Sequence, residues 1–147
     1  MAAINQVTDL DDTVQRYRQA LADEFVKGNP EPFKALWSHQ EDVVLANPFG
    51  PAVRGWEGAS AAMDYASSRF SDGEFLGFNR IASYVTTQLA TIYEVEHGKL
   101  RVSGGPLTAF DLRVTTTFRL EDGDWKVVHR HADPICTASP DGPLRTT

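Results

Sequence analysis

The chain has 147 residues, of which 41% are apolar and 23% charged, a composition typical of one soluble globular domain. Its formal net charge of −6 argues against nucleic acid or an anionic membrane as a partner, because both require clustered Lys and Arg. The single cysteine, Cys136, excludes an intrachain disulfide and a metal site built from several cysteines. We expect one domain over residues 1–147, with a core over about residues 9–136 and a loose tail over residues 137–147. With neither a membrane-length apolar stretch nor a secretion signal, a cytoplasmic location is expected.

The first predicted element is a helix over residues 8–30. Thr8 suits its N-cap and Gly28 its C-terminal stop, so residues 1–7 are expected to be a loose end. Apolar side chains recur in this stretch at spacings of three and four and form one stripe, namely Leu10, Val14, Tyr17, Leu21 and Phe25.

The next three segments alternate between helix and strand. A short helix is predicted over residues 30–37, with Pro30 at its first position. Residues 42–50 contain a short β-branched core followed by a turn, which predicts a strand. Residues 56–73 return to helical spacing, with Met63 on the apolar stripe.

The second half of the chain changes to strand periodicity. Residues 74–85, 86–98 and 107–134 are rich in Val, Ile, Thr, Phe and Tyr and are separated by turns that contain glycine. The "EDGDW" stretch predicts a tight hairpin, since Asp-Gly tolerates the positive φ that such turns require. The order of elements predicts an α+β fold in which helices pack on one face of a curved, largely antiparallel sheet.

Two stretches carry a family resemblance, "LWSHQEDVVLANPFGPAVRGWEG" and above all "RVTTTFRLEDGDWKVVHRHADP". Together with the order of elements, they resemble the SnoaL-like branch of the nuclear transport factor 2 superfamily, over about residues 9–136. The resemblance implies a strongly curved antiparallel or mixed sheet wrapped around N-terminal helices, a cone with a central apolar pocket. It also implies a homodimer formed through the convex face of the sheet.

Fold alone does not assign an activity, because this superfamily contains isomerases, dehydratases, cyclases, hydrolases and binding domains. The tyrosine–aspartate pair of the steroid isomerases and the Asp–Arg–Asp set of the epoxide hydrolases have no match at the corresponding positions of this sequence. Neither activity is therefore transferred to this chain.

The hairpin register decides which side chains of the last strand face the pocket. If Asp122-Gly123 is a two-residue turn, His129, His131 and Asp133 share the face of the apolar side chains of the preceding strand. If the loop has three residues, Arg130 takes that face and the histidines turn outward. A bulge in the strand could override either register.

The ionisable residues of this strand suggest two kinds of chemistry. His131 and Asp133 are the candidate catalytic pair, since a histidine and a carboxyl group in a dry pocket can both exchange protons near neutral pH. A metal site is less well supported, because side chains four apart on a strand are about 13 Å apart. His129 and Asp133 would share one ion only across a bend in the strand, and a zinc site would need a further ligand from elsewhere. We therefore expect no metal and no cofactor.

The remaining candidates are substrate-binding residues. Arg130, if it faces inward, is an anchor for a carboxylate, enolate or phenolate. The other candidates are mainly aromatic residues near the expected pocket, namely Tyr17, Trp37, Asn47, Phe49, Trp56 and Met63. Such a lining suits a small, flat, hydrophobic molecule.

Two functions follow from this pattern. The favoured one is a cofactor-independent acid–base enzyme, an isomerase, dehydratase, cyclase or lyase, acting on a small hydrophobic or aromatic carbonyl or polyketide-like compound. The alternative is a non-catalytic domain of the same fold that binds a small molecule or assembles as a dimer. The sequence contains no glycine-rich phosphate loop and no nucleophile elbow, so nucleotide chemistry and acyl transfer are not expected.

Overall fold

The computed structural model describes residues 2–138 and Gly142, except for the side chains of residues 2–9. The first helix, α1, spans Ala2–Gln19 and continues through a π-helical turn, Ala20–Glu24, and a 3₁₀ turn, Phe25–Lys27. The prediction of a loose end over residues 1–7 was wrong for the described residues, because the helix begins at Ala2. Gly28 ends the segment with a φ of 99°, as predicted from the freedom of glycine in this region.

Short elements follow: α2 (Glu31–Lys34), β1 (Val44–Ala46), β2 (Val53–Arg54) and α3 (Trp56–Ser68). The strand predicted over residues 42–50 has only three residues, since the prolines at 48 and 51 lack the N–H that a ladder requires. The helix predicted over residues 56–73 ends at Ser68. Phe70 fits the helical stripe by spacing, but it pairs with Val102 and begins a strand instead.

Four long strands complete the fold: β3 (Phe70–Val85), β4 (Leu89–Val102), β5 (Thr108–Glu121) and β6 (Asp124–Asp133). They form an antiparallel meander within a six-stranded sheet of order β2-β1-β6-β5-β4-β3. β1 and β6 pair in parallel, which makes the sheet mixed. The predicted α+β class and the mixed sheet with N-terminal helices are confirmed.

The β5–β6 hairpin has the two-residue turn, yet its last residues face opposite to what that turn alone implies. Asp122 and Gly123 have positive φ values of 50° and 84°, and Leu120 opposes Trp125. A bulge then shifts the register by one residue, because Phe118 opposes Val127 whereas Thr117 opposes His129.

The bulge has a backbone cause on the other side of β6. The N–H of Val127 donates to the carbonyl of Leu36 at 2.9 Å, and the carbonyl of Val127 accepts from the N–H of Ser38 at 2.9 Å. Val127 and Val128 are both buried, so two consecutive side chains point away from water at this point of the strand. From His129 onward the alternation is reversed, and Arg130 is turned to the concave face.

The core lies between the helical segments and the concave face of the sheet. Aromatic rings carry most of this packing: Tyr17 lies 5.2 Å from Phe33 and 5.8 Å from Phe118, centroid to centroid. The inward face of β5 is the apolar one predicted from its alternation, with Val114 and Phe118 each 1% exposed. None of the described helices is long and apolar enough to cross a membrane.

Candidate functional site

A cavity of about 260 Å³ lies between the end of the first helical segment and the concave face of the sheet. Its wall is mostly apolar and comes from the π and 3₁₀ turns and from β3, β4 and β5. The apolar lining residues are Leu21, Phe25, Val26, Pro48, Phe49, Phe70, Phe75, Leu100, Val102, Phe110 and Leu112. Because the volume is slightly below the roughly 300–1,000 Å³ typical of ligand pockets, the cavity suits a small molecule.

One end of the cavity contains a buried ion pair between Arg130 of β6 and Glu96 of β4. Arg130 Nη1 donates to Glu96 Oε2 at 2.9 Å, and Nη2 donates to Oε1 at 3.0 Å. The two residues are 4% and 1% exposed. A two-pronged contact of this kind fixes both planes, so the carboxylate has one orientation relative to the cavity.

Two further partners hold the guanidinium of Arg130. Nη1 also donates to the hydroxyl of Tyr17 at 2.6 Å, and Nε donates to Asn47 Oδ1 at 3.2 Å. The Tyr17 hydroxyl shares a hydrogen bond with Thr116 Oγ1 at 3.1 Å. The cluster around Arg130 therefore joins helix α1, the loop after β1 and three strands.

Burial and charge act in opposite directions on this cluster. Burial raises the pKa of Tyr17 more than the nearby charge of Arg130 lowers it, so the phenol stays protonated. Burial alone would lower the pKa of Arg130, but the carboxylate of Glu96 and the hydrogen bonds of Tyr17 and Glu96 raise it above its ordinary value. The site is therefore a charged arginine paired with a carboxylate beside a neutral phenol.

The structure brings four of the predicted substrate-binding residues to this site. Arg130, Asn47 and Phe49 line the cavity, and Tyr17 contacts Arg130 directly. Phe49 is 58% exposed and stands at the rim, on the loop between β1 and β2.

Trp37, Met63 and Trp56 were also predicted to bind substrate, and none of them lines this cavity. Trp37 and Met63 are buried in the core instead, at 1% and 0% exposure. Trp56, at the start of α3, stacks on the ring of His39 at 3.9 Å between centroids. Aromatic content predicts burial well but does not distinguish core from cavity wall.

His131 and Asp133 lie on the convex face of the sheet, away from the cavity. The bulge in β6 places them opposite Thr115 and Arg113, which also face outward. Arg113 Nε and Nη2 donate to the two oxygens of Asp133 at 2.8 and 2.9 Å. Arg113 lowers the pKa of Asp133, whereas a carboxyl group in a dry pocket would have a raised pKa. The expectation that this pair lines the pocket was therefore wrong, and Arg130 takes that place.

Glu96 is the functional residue that the sequence analysis did not place in the pocket. Residues 90, 92, 94, 96, 98 and 100 form the buried face of β4, and two of them are glutamates. A carboxylate at an alternating apolar position is the sequence signal that identifies it, because charged side chains are rarely buried without a partner.

The second glutamate of that face, Glu94, has a separate set of partners. It forms a close salt bridge with Arg18 of α1, and Arg80 Nε lies 3.7 Å from its Oε2. Glu94 does not line the cavity. No three His, Cys, Asp or Glu side chains of the described residues lie close enough together to hold a metal ion.

The SnoaL-like domain family matches residues 14–135 of the chain. The chain belongs to this family. No curated protein matches it.

Solved structures of the nuclear transport factor 2-like type show the same fold as this SnoaL-like chain. A superfamily protein from Salmonella enterica serovar Typhimurium is 16% identical, with a TM-score of 0.78 over 98% of this chain and 100% of that one. A candidate dehydratase from Streptomyces avermitilis is 19% identical, with a TM-score of 0.73 over 89% and 96%. A ketosteroid isomerase-like protein from Erwinia carotovora atroseptica is 15% identical, with a TM-score of 0.67 over 88% and 96%.

Proposed function

We propose that this chain is a cofactor-independent acid–base enzyme that transfers a proton next to the carbonyl group of a small hydrophobic or aromatic compound. Isomerisations, eliminative dehydrations and aldol-type cyclisations of carbonyl compounds share such a step when they pass through an enolate. The observation that carries the proposal is the position of Glu96, which is the one carboxylate among the described residues that line the mostly apolar cavity. Structural neighbours that include a candidate dehydratase and a ketosteroid isomerase-like protein are consistent with this reaction class.

Glu96 has the geometry of a proton acceptor. A carboxylate has about four lone-pair sites, and Arg130 occupies one on each oxygen, which leaves further acceptor capacity on a residue that lines the cavity. The proton leaves the carbon next to the carbonyl, the C–H electron pair forms an enolate, and Glu96 holds the proton until it is returned to carbon. The arginine keeps the carboxylate oriented throughout.

Two N–H donors at the same end suit the developing negative charge on the substrate oxygen. One N–H of Arg130 Nη2 and the Nδ2 amide of Asn47 have no acceptor among the described residues. Asn47 is oriented by the bond that its Oδ1 accepts from Arg130. Fixed donors in a water-poor cavity stabilise an enolate more strongly than water does.

A deuterium-exchange assay tests the proposal. We expect wild-type protein in D₂O to accelerate exchange of the acidic C–H groups of 2-tetralone, a bicyclic aromatic ketone, as followed by NMR. Glu96→Gln should lower the exchange rate at least about a hundredfold, because the proton acceptor is lost.

Glu94→Gln is the matched control, since it also removes a buried carboxylate paired with arginine but one that does not line the cavity. Its exchange rate should stay near wild type. Equal rates in the two variants, or no acceleration by the wild type, would contradict the proposal.

A non-catalytic binding domain is the second candidate. Glu96 and Arg130 already satisfy one another, and this favours a role for the pair in holding the cavity open. Binding of 2-tetralone without accelerated exchange would support this alternative.

A further inference from the structure

A second cavity of about 200 Å³ adjoins the main one, between the β1–β2 loop and α3. The two cavities share three lining residues, Asn47, Phe49 and Phe70. Phe49 packs against Phe70 with ring centroids 5.6 Å apart and separates the two spaces. Phe49 is 58% exposed on a surface loop, so packing constrains its ring less than it constrains a buried ring, and a ligand that spans both cavities requires this ring to rotate.

Arg69 is the one charged residue among those that line the second cavity. It follows the last residue of α3 and is half-buried. No carboxylate of the described residues forms a salt bridge with it. An arginine that lines a cavity without an acidic partner can accept one from a ligand.

The guanidinium of Arg69 is held in place by contacts that leave its outer edge open. The side-chain Nε donates to Ser103 Oγ at 3.0 Å. The backbones of the two residues are also joined, because the Arg69 carbonyl accepts from the N–H of Ser103 at 2.7 Å. The Tyr65 ring lies 5.2 Å from the Arg69 Cζ atom. Nη1 and Nη2 have no acceptor among the residues that the structure describes. Their N–H groups form a planar fork that matches the two oxygens of a carboxylate.

We propose that the second cavity is a carboxylate-binding subsite and that the ligand of this protein is a hydrophobic acid. The apolar body of the ligand lies in the main cavity, and its carboxylate passes Phe49 to reach Arg69. The C-terminus of α3 is the negative end of a helix dipole, which favours the Arg69 cation but opposes a high negative charge on a ligand. A monoanion held by one planar fork is therefore expected rather than a phosphate dianion, which also needs more donors than this site offers. This subsite proposal rests on the proposed function only in one respect, namely that the hydrophobic body of the ligand occupies the main cavity.

Binding of a matched acid and amide tests the subsite. We expect isothermal titration calorimetry to show that wild-type protein binds 2-naphthylacetate at least about tenfold more tightly than 2-naphthylacetamide, because only the acid pairs with Arg69. Arg69→Gln should weaken the acid to the affinity of the amide and leave the amide unchanged.

Arg54→Gln is the control, because Arg54 is exposed and lines neither cavity. It should keep the preference of the wild type. Arg69→Lys retains the charge without the planar fork, so it should lose part of the preference for the acid over the amide. If Arg69→Gln does not fold, Arg69→Lys takes its place in the test. An acid-to-amide ratio near one in the wild type, a ratio that Arg69→Gln does not change, or no binding of either probe would overturn the subsite.

The two proposals fail separately. Exchange of the uncharged ketone does not involve Arg69, so ketone exchange that depends on Glu96, with no acid preference, removes only the subsite. An acid preference that depends on Arg69, with no ketone exchange, removes only the proposed catalysis.

Discussion

The ionisable residues of this chain differ mainly in whether their charge is buried in an ion pair or lies on the convex face. Arg130 and Glu96 are buried as a pair, so loss of either partner would leave an uncompensated charge in the core. Asp133 keeps its charge on the convex face because Arg113 pairs with it. The sequence could identify all four as ionisable, but it could not pair them, because the pairing depends on which face of a strand each side chain occupies.

His129 makes stability depend on pH near neutrality. Burial, and to a smaller extent the charge of His131, lowers the pKa of His129 below its ordinary value of 6.5. Below that ordinary value the unfolded chain binds the proton more readily than the folded one, so the free energy of unfolding falls as pH decreases. We expect urea denaturation between about pH 5.5 and 8 to show this fall, and His129→Gln to flatten it. A His129→Gln slope equal to that of the wild type would refute the assignment.

At the scale of elements, irregular backbone rather than regular structure shapes the site. The π turn at Ala20–Glu24 and the 3₁₀ turn at Phe25–Lys27 bring Leu21, Phe25 and Val26 to the cavity wall. The bulge in β6 brings in Arg130. Periodicity predicted the helix and the strands correctly as types, but these irregularities depend on contacts with distant segments and have no periodic signature. Two adjacent valines, at positions 127 and 128, interrupt the alternation of the strand and are the one feature of the local sequence that indicates the bulge.

The packing of β3 against the 3₁₀ turn depends on a glycine. A Cβ at Gly73 would lie 2.3 Å from Val26 Cβ and 2.4 Å from its carbonyl oxygen. Gly73→Ala must therefore move Val26, which lines the cavity, and we expect a loss of about 1–3 kcal/mol in the free energy of unfolding. Gly77→Ala in the same strand is the control, because nothing lies within 4 Å of its Cβ position. Urea denaturation of both variants measures the difference, and equal stabilities would contradict this packing argument.

For the whole molecule, the two faces of the sheet have different surroundings. The concave face carries the core and the cavity. Side chains on the central strands of the convex face stay half-buried, among them Thr91, Tyr93, Val95 and Thr115. The family resemblance anticipated the overall architecture, because the pattern of elements survives low sequence identity, whereas the position of a cavity depends on packing details.

We propose that the convex face forms a homodimer. Val95 lies there beside Arg113, whose charge is already paired with Asp133, so a new carboxylate at position 95 would have no free cation beside it. We expect light scattering to give twice the monomer mass for the wild type and the monomer mass for Val95→Glu. Ala61→Glu, on the exposed side of α3, should remain dimeric. A monomeric wild type, or a dimeric Val95→Glu protein, would count against this interface.

The extra residue of the bulge in β6 also affects how relatives of this chain should be compared. If the same residues formed a regular ladder without the bulge, the register of Phe118 and Val127 would continue, and His129, His131 and Asp133 would face the cavity in place of Arg130. Two family members with the same number of residues in β6, of which only one has the bulge, would therefore present different functional groups to a ligand despite similar sequences. Residues of β6 are equivalent between relatives only after the position of the bulge in each has been located, and a count of identical aligned residues does not establish a shared reaction.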